Sequence, residues 1–194
     1  MRIAIDLDGV VANFVRAIDG LPANYEPPDW DFSDVFSRED WSKVWTRIKA
    51  TENFWEKLSV YPENTTALRN FLTDESGHEI YYLTSRAKTV GRAVSLQTDN
   101  WLYHNALWSR RNFSAVIAVS NAAFKKDILA SLEIEAFVDD YGPTVEECSS
   151  IENCKTYLLD RPWNRDKNYG KRVFTLDQFF NIITNKKPAD YYLV

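Results

Sequence analysis

Ile3-Ala4-Ile5-Asp6-Leu7-Asp8-Gly9-Val10-Val11 decides how the chain is read. An apolar, β-branched run leads straight into two aspartates one residue apart, then a glycine. The run has the length of a fully buried strand. Carboxylates that end such a strand sit at its C-terminal edge, where open parallel α/β sheets bind their ligands. Two acids this close raise each other's cost of ionisation. A cation or a proton-transfer task at that edge explains them. A solvated strand-to-loop turn is the other explanation at this point.

Working outward, Asn13 to Ile18 reads as a helix start, and Gly20, Pro22, Pro27 and Pro28 break the pattern. Trp30, Phe32, Val35, Phe36, Trp41, Val44, Trp45 and Ile48 then recur at helical spacing among polar residues. Ser37 with Asp40 resembles a capping box. With Phe54, Trp55 and Leu58 these residues predict a small helical cap over 15–61, inserted after the first strand. Residues 1–14 and 62–194 then form the core domain. In it a helix over Thr66–Leu72 precedes a second strand, Ile80–Leu83, which stops at Thr84-Ser85-Arg86. A long helix over roughly Val90–Leu107 leads to a third strand, Ala115–Val119. A helix over Phe124–Leu132 leads to a fourth, Ala136–Val138, which ends at Asp139-Asp140. A short helix over Pro143–Cys148 precedes a fifth, Thr156–Leu159, ending at Asp160. Arg172–Phe174 reads as a short edge strand and Leu176–Ile183 as an amphipathic helix. Strands alternating with helices predict a three-layer α/β fold, a Rossmann-like parallel sheet covered on both faces.

In a parallel sheet all C-terminal strand ends share one edge. Asp6 and Asp8, Thr84 and Ser85, and Asp139 and Asp140 are therefore expected to meet, although they lie far apart in sequence. Four carboxylates there carry a large uncompensated charge. A hard divalent cation relieves it, and Mg²⁺ suits one or two carboxylates plus waters and a substrate phosphate. The hydroxyls of Thr84 and Ser85 can donate to phosphate oxygens. Lys125 precedes Ile128 and Leu129 by three and four residues and shares their inward stripe. Lys126 is turned about 100° away. Lys125 is therefore favoured as the balancing cation, with Lys126 as the alternate.

The formal net charge of −5, with no Lys/Arg block, argues against a nucleic-acid polymer as partner. Cys148 and Cys154 lack metal or redox spacing, which favours a reducing, cytoplasmic setting. Met1-Arg2 runs directly into the first strand, which predicts no signal peptide. No apolar run approaches the ~20 residues that span a membrane. The composition is unusual in its aromatics, with seven Trp, ten Tyr and eleven Phe.

These motifs resemble the haloacid dehalogenase-like (HAD) phosphohydrolase superfamily. Asp6-Leu7-Asp8-Gly9-Val10-Val11 matches its first motif and Tyr82-Leu83-Thr84 its second. Lys125 or Lys126 matches the third, and Phe137-Val138-Asp139-Asp140 the fourth. Within it the chain looks like the 5'(3')-deoxyribonucleotidase family. The carrying residues are Phe54-Trp55-Glu56-Lys57-Leu58 and Tyr61-Pro62-Glu63-Asn64. The family's usual glycine after that proline is absent, and Thr84-Ser85-Arg86 stands where Thr-Ser-Pro is common.

The resemblance implies a Mg²⁺-dependent phosphomonoesterase acting on (deoxy)nucleoside monophosphates. Asp6 is the implied nucleophile and Asp8 the general acid and base. Asp6, Asp8, Asp139 and Asp140 hold the metal. Thr84, Ser85 and the lysine hold phosphate oxygens. A nucleobase can stack on Phe54 or Trp55, and Arg86, Asn164 and Arg165 lie in edge loops where they can touch substrate. The alternatives are a phosphatase for another small phosphorylated metabolite, or a binding protein without turnover. A homodimer is compatible with either.

Overall fold

The computed structural model describes residues 1–22, 24–73, 77–108, 113–166 and 168–185. Six parallel strands form one sheet in the order β5-β4-β1-β6-β7-β8. They are β1 (Arg2–Ile5), β4 (Glu79–Ser85), β5 (Phe113–Val119), β6 (Ala136–Asp139), β7 (Lys155–Leu159) and β8 (Lys171–Val173). β1 is central and fully apolar below the surface, as a strand covered on both faces must be. Its side chains alternate between two cores. Ile3 and Ile5 join Leu68 and Phe71 of α2 (Pro62–Leu72), Trp101 and Leu102 of α3 (Val94–His104), and Phe179 and Phe180 of α6 (Leu176–Ile183). Ala4 faces the other way, toward Leu129 of α4 (Lys125–Ser131) and Cys148 of α5 (Gly142–Cys148). The sheet is thus sandwiched between two helical layers.

Register places the polar strand ends. Ile5 pairs with Tyr82 on one side and Val138 on the other. The Asp6 amide continues the ladder by donating to Val138 O at 3.0 Å. Asp6 and Asp139 therefore stand side by side one step on. The chain then turns sharply, with the amides of Val10, Val11 and Ala12 all donating to Leu7 O. Gly9 makes that turn at φ +86°, and a Cβ there would lie 2.3 Å from Asp140 Oδ2. Both the conformation and the close approach require glycine.

The segment after this turn differs in detail from the sequence expectation. Asn13–Ile18 is not a helix start. Ala12–Asn13 form a short strand, β2, paired antiparallel with β3 (Ser59–Val60), followed by a single 3₁₀ turn over Val15–Ala17. Asn13 spends its side chain on the Arg16 amide, 3.2 Å away, which closes that turn locally. The β2–β3 pair brings the two ends of the insertion together. Among the described residues between them lies one α-helix, α1 (Arg38–Ala50), capped by Ser37, whose Oγ accepts from the Asp40 amide at 3.1 Å. Val44, Ile48 and Phe54 of the insertion belong to the same apolar core as Ile3 and Ile5. The loop after β4 also ties the insertion down. Val90 donates to Lys49 O and accepts from the Asn53 amide, and the Arg92 amide donates to Asn53 Oδ1.

Other differences are at element ends. α2 starts at Pro62, which suits a first helical position. α3 spans Val94–His104, shorter than the spacing suggests, with Gly91 at φ +101° in the loop before its N-cap Ala93. Both cysteines are buried and free. No helix among the described residues is long and apolar enough to cross a membrane.

Candidate active site

A cleft of about 290 Å³ opens at the C-terminal edge of the sheet, above β1, β4 and β6. Its floor is carboxylate and lysine. Lys125, the first residue of α4, points its ammonium at Asp6 Oδ1 (2.6 Å) and Asp139 Oδ2 (2.7 Å). All three side chains are buried. Lys126, on the neighbouring helix position, does not line the cleft. The Asp139 Oδ1 accepts from the Tyr141 amide at 2.8 Å, and Asp140 Oδ2 accepts from Trp163 Nε1 at 2.8 Å.

One carboxylate oxygen each from Asp6, Asp139 and Asp140 lies within 4.8 Å of the others. Lys125 is the one cation lining the cleft among the described residues. The charge is therefore unbalanced, and it shows. Burial pushes the Asp6 carboxyl up to about 7, with Lys125 pulling down and Asp139 and Asp8 adding to the rise. Burial, then Asp139 and Asp6, raise Asp140 well above the usual carboxylate range. Burial pulls Lys125 down, but Asp139 and Asp6 outweigh it and hold it firmly charged. Three buried oxygen ligands short of positive charge form a donor set that fits a hard divalent cation.

Asp8 stands apart from this trio. Its carboxylate is gripped by Arg86, with Nε on Oδ2 at 2.9 Å and Nη2 on Oδ1 at 2.8 Å. Thr84 Oγ1 donates to Oδ2 at 3.2 Å, so this hydroxyl serves Asp8 rather than standing free for a phosphate. Ser85 lines the cleft beside it.

Another part of the lining is aromatic and uncharged. Phe14, Trp30, Trp45 and Trp55 line it. Phe14 lies at the centre, with ring centroids 5.8 Å from Trp45, 5.9 Å from Trp30 and 6.0 Å from Trp55. Trp55 is itself fixed, because its Nε1 donates to Ala87 O at 2.9 Å.

Several residues expected at the substrate lie elsewhere. Phe54 packs edge-on against Trp55 and faces Val44 and Ile48 inside the insertion, away from the cleft. Arg86 is enclosed and faces Asp8, so its fork has no substrate-facing donor to offer. Asn164 is buried and clips its own loop, donating to Asp140 O and Leu159 O and accepting from the Arg161 amide. Arg165 is exposed and paired with Asp160 at 3.0 Å, outside the cleft. Conversely, Phe14, Trp30, Trp45, Ser120 and Tyr141 line the cleft, although the sequence does not mark them as ligand contacts. Ser120 follows the third core strand directly, so the strand-end rule that marks Thr84 and Asp139 also marks it.

No protein-family model matches the chain. It is 31% identical over 129 residues to a curated protein of Oceanobacillus iheyensis that carries the name "Putative nucleotidase OB0422". The match takes in 66% of this chain and 63% of that relative's length. Among solved structures, the crystal structure of D,D-heptose 1,7-bisphosphate phosphatase from Burkholderia thailandensis superposes with a TM-score of 0.53. That alignment covers 96% of this chain and 99% of the other at 10% identity, a likeness of fold alone. The chain thus carries the α/β fold of the HAD phosphohydrolases that its four motifs resemble.

Proposed function

We propose that the protein is a Mg²⁺-dependent phosphomonoesterase that hydrolyses (deoxy)nucleoside monophosphates through an aspartyl-phosphate on Asp6. One observation supports this most. A lysine-braced aspartate and a second aspartate, two residues on, line one cleft together with four uncharged aromatic rings. A phosphate fits the first end and a flat, uncharged leaving group the second.

Asp6 is the nucleophile, with Oδ1 held by Lys125 and Oδ2 left for the phosphorus. As the Asp6–phosphorus bond forms, the ester bond breaks and Asp8 gives its proton to the departing alkoxide. Asp8 then takes a proton from water that attacks the aspartyl-phosphate, releasing phosphate and restoring Asp6. Lys125, Ser85 and Ser120 line the cleft and would bind the equatorial oxygens, where charge gathers. Asp6, Asp139 and Asp140, with the Asp8 backbone carbonyl, would hold Mg²⁺, which when bound neutralises the buried acids and polarises the phosphoryl oxygens. Residues 15–61 act as a cap that supplies Trp30, Trp45 and Trp55 to the aromatic wall, while Phe14 comes from the core segment just before it.

The base of a nucleotide would stack against the Phe14–Trp45–Trp55 group, a contact worth roughly 1–3 kcal/mol and tolerant of base identity. Purified protein with Mg²⁺ should be assayed over a panel of nucleoside monophosphates, sugar phosphates and sugar bisphosphates. The expected result is nucleotide turnover well above that of the rest. Strong activity on a sugar phosphate, with uniformly trivial nucleotide turnover, would remove the nucleotide from the proposal and keep the chemistry.

A further inference from the structure

We infer that Arg86 is a positioning residue that fixes Asp8 in one orientation and leaves a single carboxylate oxygen, Oδ1, to exchange the proton with the leaving group. This rests on the phosphomonoesterase reading.

The hydrogen-bond inventory is asymmetric. Asp8 Oδ2 accepts from both Arg86 Nε and Thr84 Oγ1, while Oδ1 accepts from Arg86 Nη2 alone. A carboxylate oxygen offers two lone-pair sites. Oδ2 is therefore filled and Oδ1 has one site open. Asp8 lines the cleft, whereas Arg86 does not and its side chain is 0% exposed. The fork grips Asp8 from behind.

Arg86 is itself held on every side. Its amide donates to Val119 O at 2.9 Å, which ties the residue to the end of β5. Its third donor, Nη1, reaches Thr98 Oγ1 at 2.9 Å. Thr98 spends its own proton on Val94 O, so its oxygen is committed to accepting from Arg86. The guanidinium carbon lies 4.9 Å from the Trp55 ring and 5.9 Å from the Trp101 ring. A planar, delocalised cation suits such a slot, and an ammonium cannot reproduce the two-point grip. The charge of a lysine could still pair with Asp8, but the carboxylate would be free to rotate. Trp55 also faces the cleft, so the ring that receives the leaving group braces the residue that orients the acid.

The test exploits leaving groups. An alkoxide needs a proton as it departs and p-nitrophenolate does not. kcat/KM reports the first, phosphorylating step. It should be measured for Arg86→Lys and Thr98→Val on p-nitrophenyl phosphate and on the best alkyl phosphomonoester of the panel. Arg86→Lys is expected to lose about 100-fold on the alkyl ester, the low end of general acid catalysis. It should stay within about threefold on the aryl ester. Thr98→Val, the milder change should Arg86→Lys fail to fold, is expected to lose about fivefold on the alkyl ester only, for one hydrogen bond. Equal losses on both esters, or no loss on either, overturn the assignment and leave the phosphomonoesterase reading standing. A wild-type protein that cleaves neither ester defeats that reading and this assignment with it.

Discussion

Lys125 and Trp45 line the same cleft, yet they are held in place in different ways. Lys125 is buried and donates to two carboxylates at 2.6 and 2.7 Å, and those carboxylates sit on strand ends whose register is set by the sheet. Trp45 is half-buried on α1, and its contacts with Phe14 and Trp41 lie 5.8 and 5.9 Å between ring centroids. Hydrogen bonds fix direction to within tens of degrees, while ring packing tolerates sliding. Under the proposed function the floor would specify one chemistry, and the wall would accept a range of flat leaving groups. The two regions should respond differently to the same kind of change.

The largest effect is expected on the floor. On the proposed mechanism Asp6→Asn removes the nucleophile and should cut turnover by about 10⁴-fold or more, as loss of a nucleophile does elsewhere. Because the wall is untouched, the Kd for the best substrate, read from tryptophan fluorescence, should stay within about tenfold. If turnover survives, the aspartyl-phosphate is wrong. If turnover and binding vanish together, floor and wall are one unit.

A second effect separates the regions through metal. The Asp6 carboxyl lies at about 7 in the metal-free protein, against an ordinary value near 4. Between about pH 4 and 7 the folded state then binds more protons than the unfolded one. Stability of the metal-free protein should consequently fall as pH rises through that window. Mg²⁺ at 100 times its Kd adds about 2.7 kcal/mol. For a chain of this size that is roughly 5–10 °C in Tm, at about 2–4 °C per kcal/mol. Calorimetry with and without chelator measures both. The shift should persist in Trp45→Ala and shrink in Asp140→Asn. A wild-type Tm indifferent to Mg²⁺ would leave the acid trio without its cation.

The wall answers more weakly. Trp45→Ala removes one exposed-edge ring and should raise KM for nucleotides about tenfold, within the 1–3 kcal/mol of a stacking contact. kcat should hold, and a small phosphomonoester without a ring should show no change. A fall in kcat with KM constant would place Trp45 in the chemistry rather than on the wall.

The same contrast governs what could be read from sequence. That Asp6, Asp8, Thr84, Asp139 and Asp140 meet at one cleft was legible because a parallel sheet brings strand ends together whatever the loops do. Lys125 could be favoured over Lys126 because α4 carries a one-sided apolar stripe, and the structure brings the Lys125 ammonium, not that of Lys126, to the carboxylates. The aromatic wall was legible in kind only. Helical spacing says that Trp41, Trp45 and Ile48 share a side of α1, but not which of its rings look inward. Phe54 and Trp55 are adjacent, and one fills the insertion while the other faces the cleft. Arg86 shows the same gap, since an arginine after a strand suits a ligand as well as a carboxylate clamp. Only the fold brings Asp8, Trp55, Trp101 and Thr98 around it.

The smallest effect is the sharpest check on where the cleft ends. Arg165 sits at the same sheet edge as Asp139, and by position alone it could reach a substrate phosphate. Its guanidinium instead pairs with Asp160, which also accepts from Arg172 Nη1 at 2.9 Å. Arg165 is exposed, so its ion pair is screened by solvent and contributes little. Arg165→Ala should therefore change stability by no more than about 0.5 kcal/mol and leave kcat and KM within twofold. Asp160 keeps Arg172, so no buried charge is stranded. A tenfold rise in KM for this variant would mean that the substrate reaches past Trp163 toward Asp160. The leaving group would then extend beyond the Phe14–Trp45 wall, and that wall would define only part of what the protein selects.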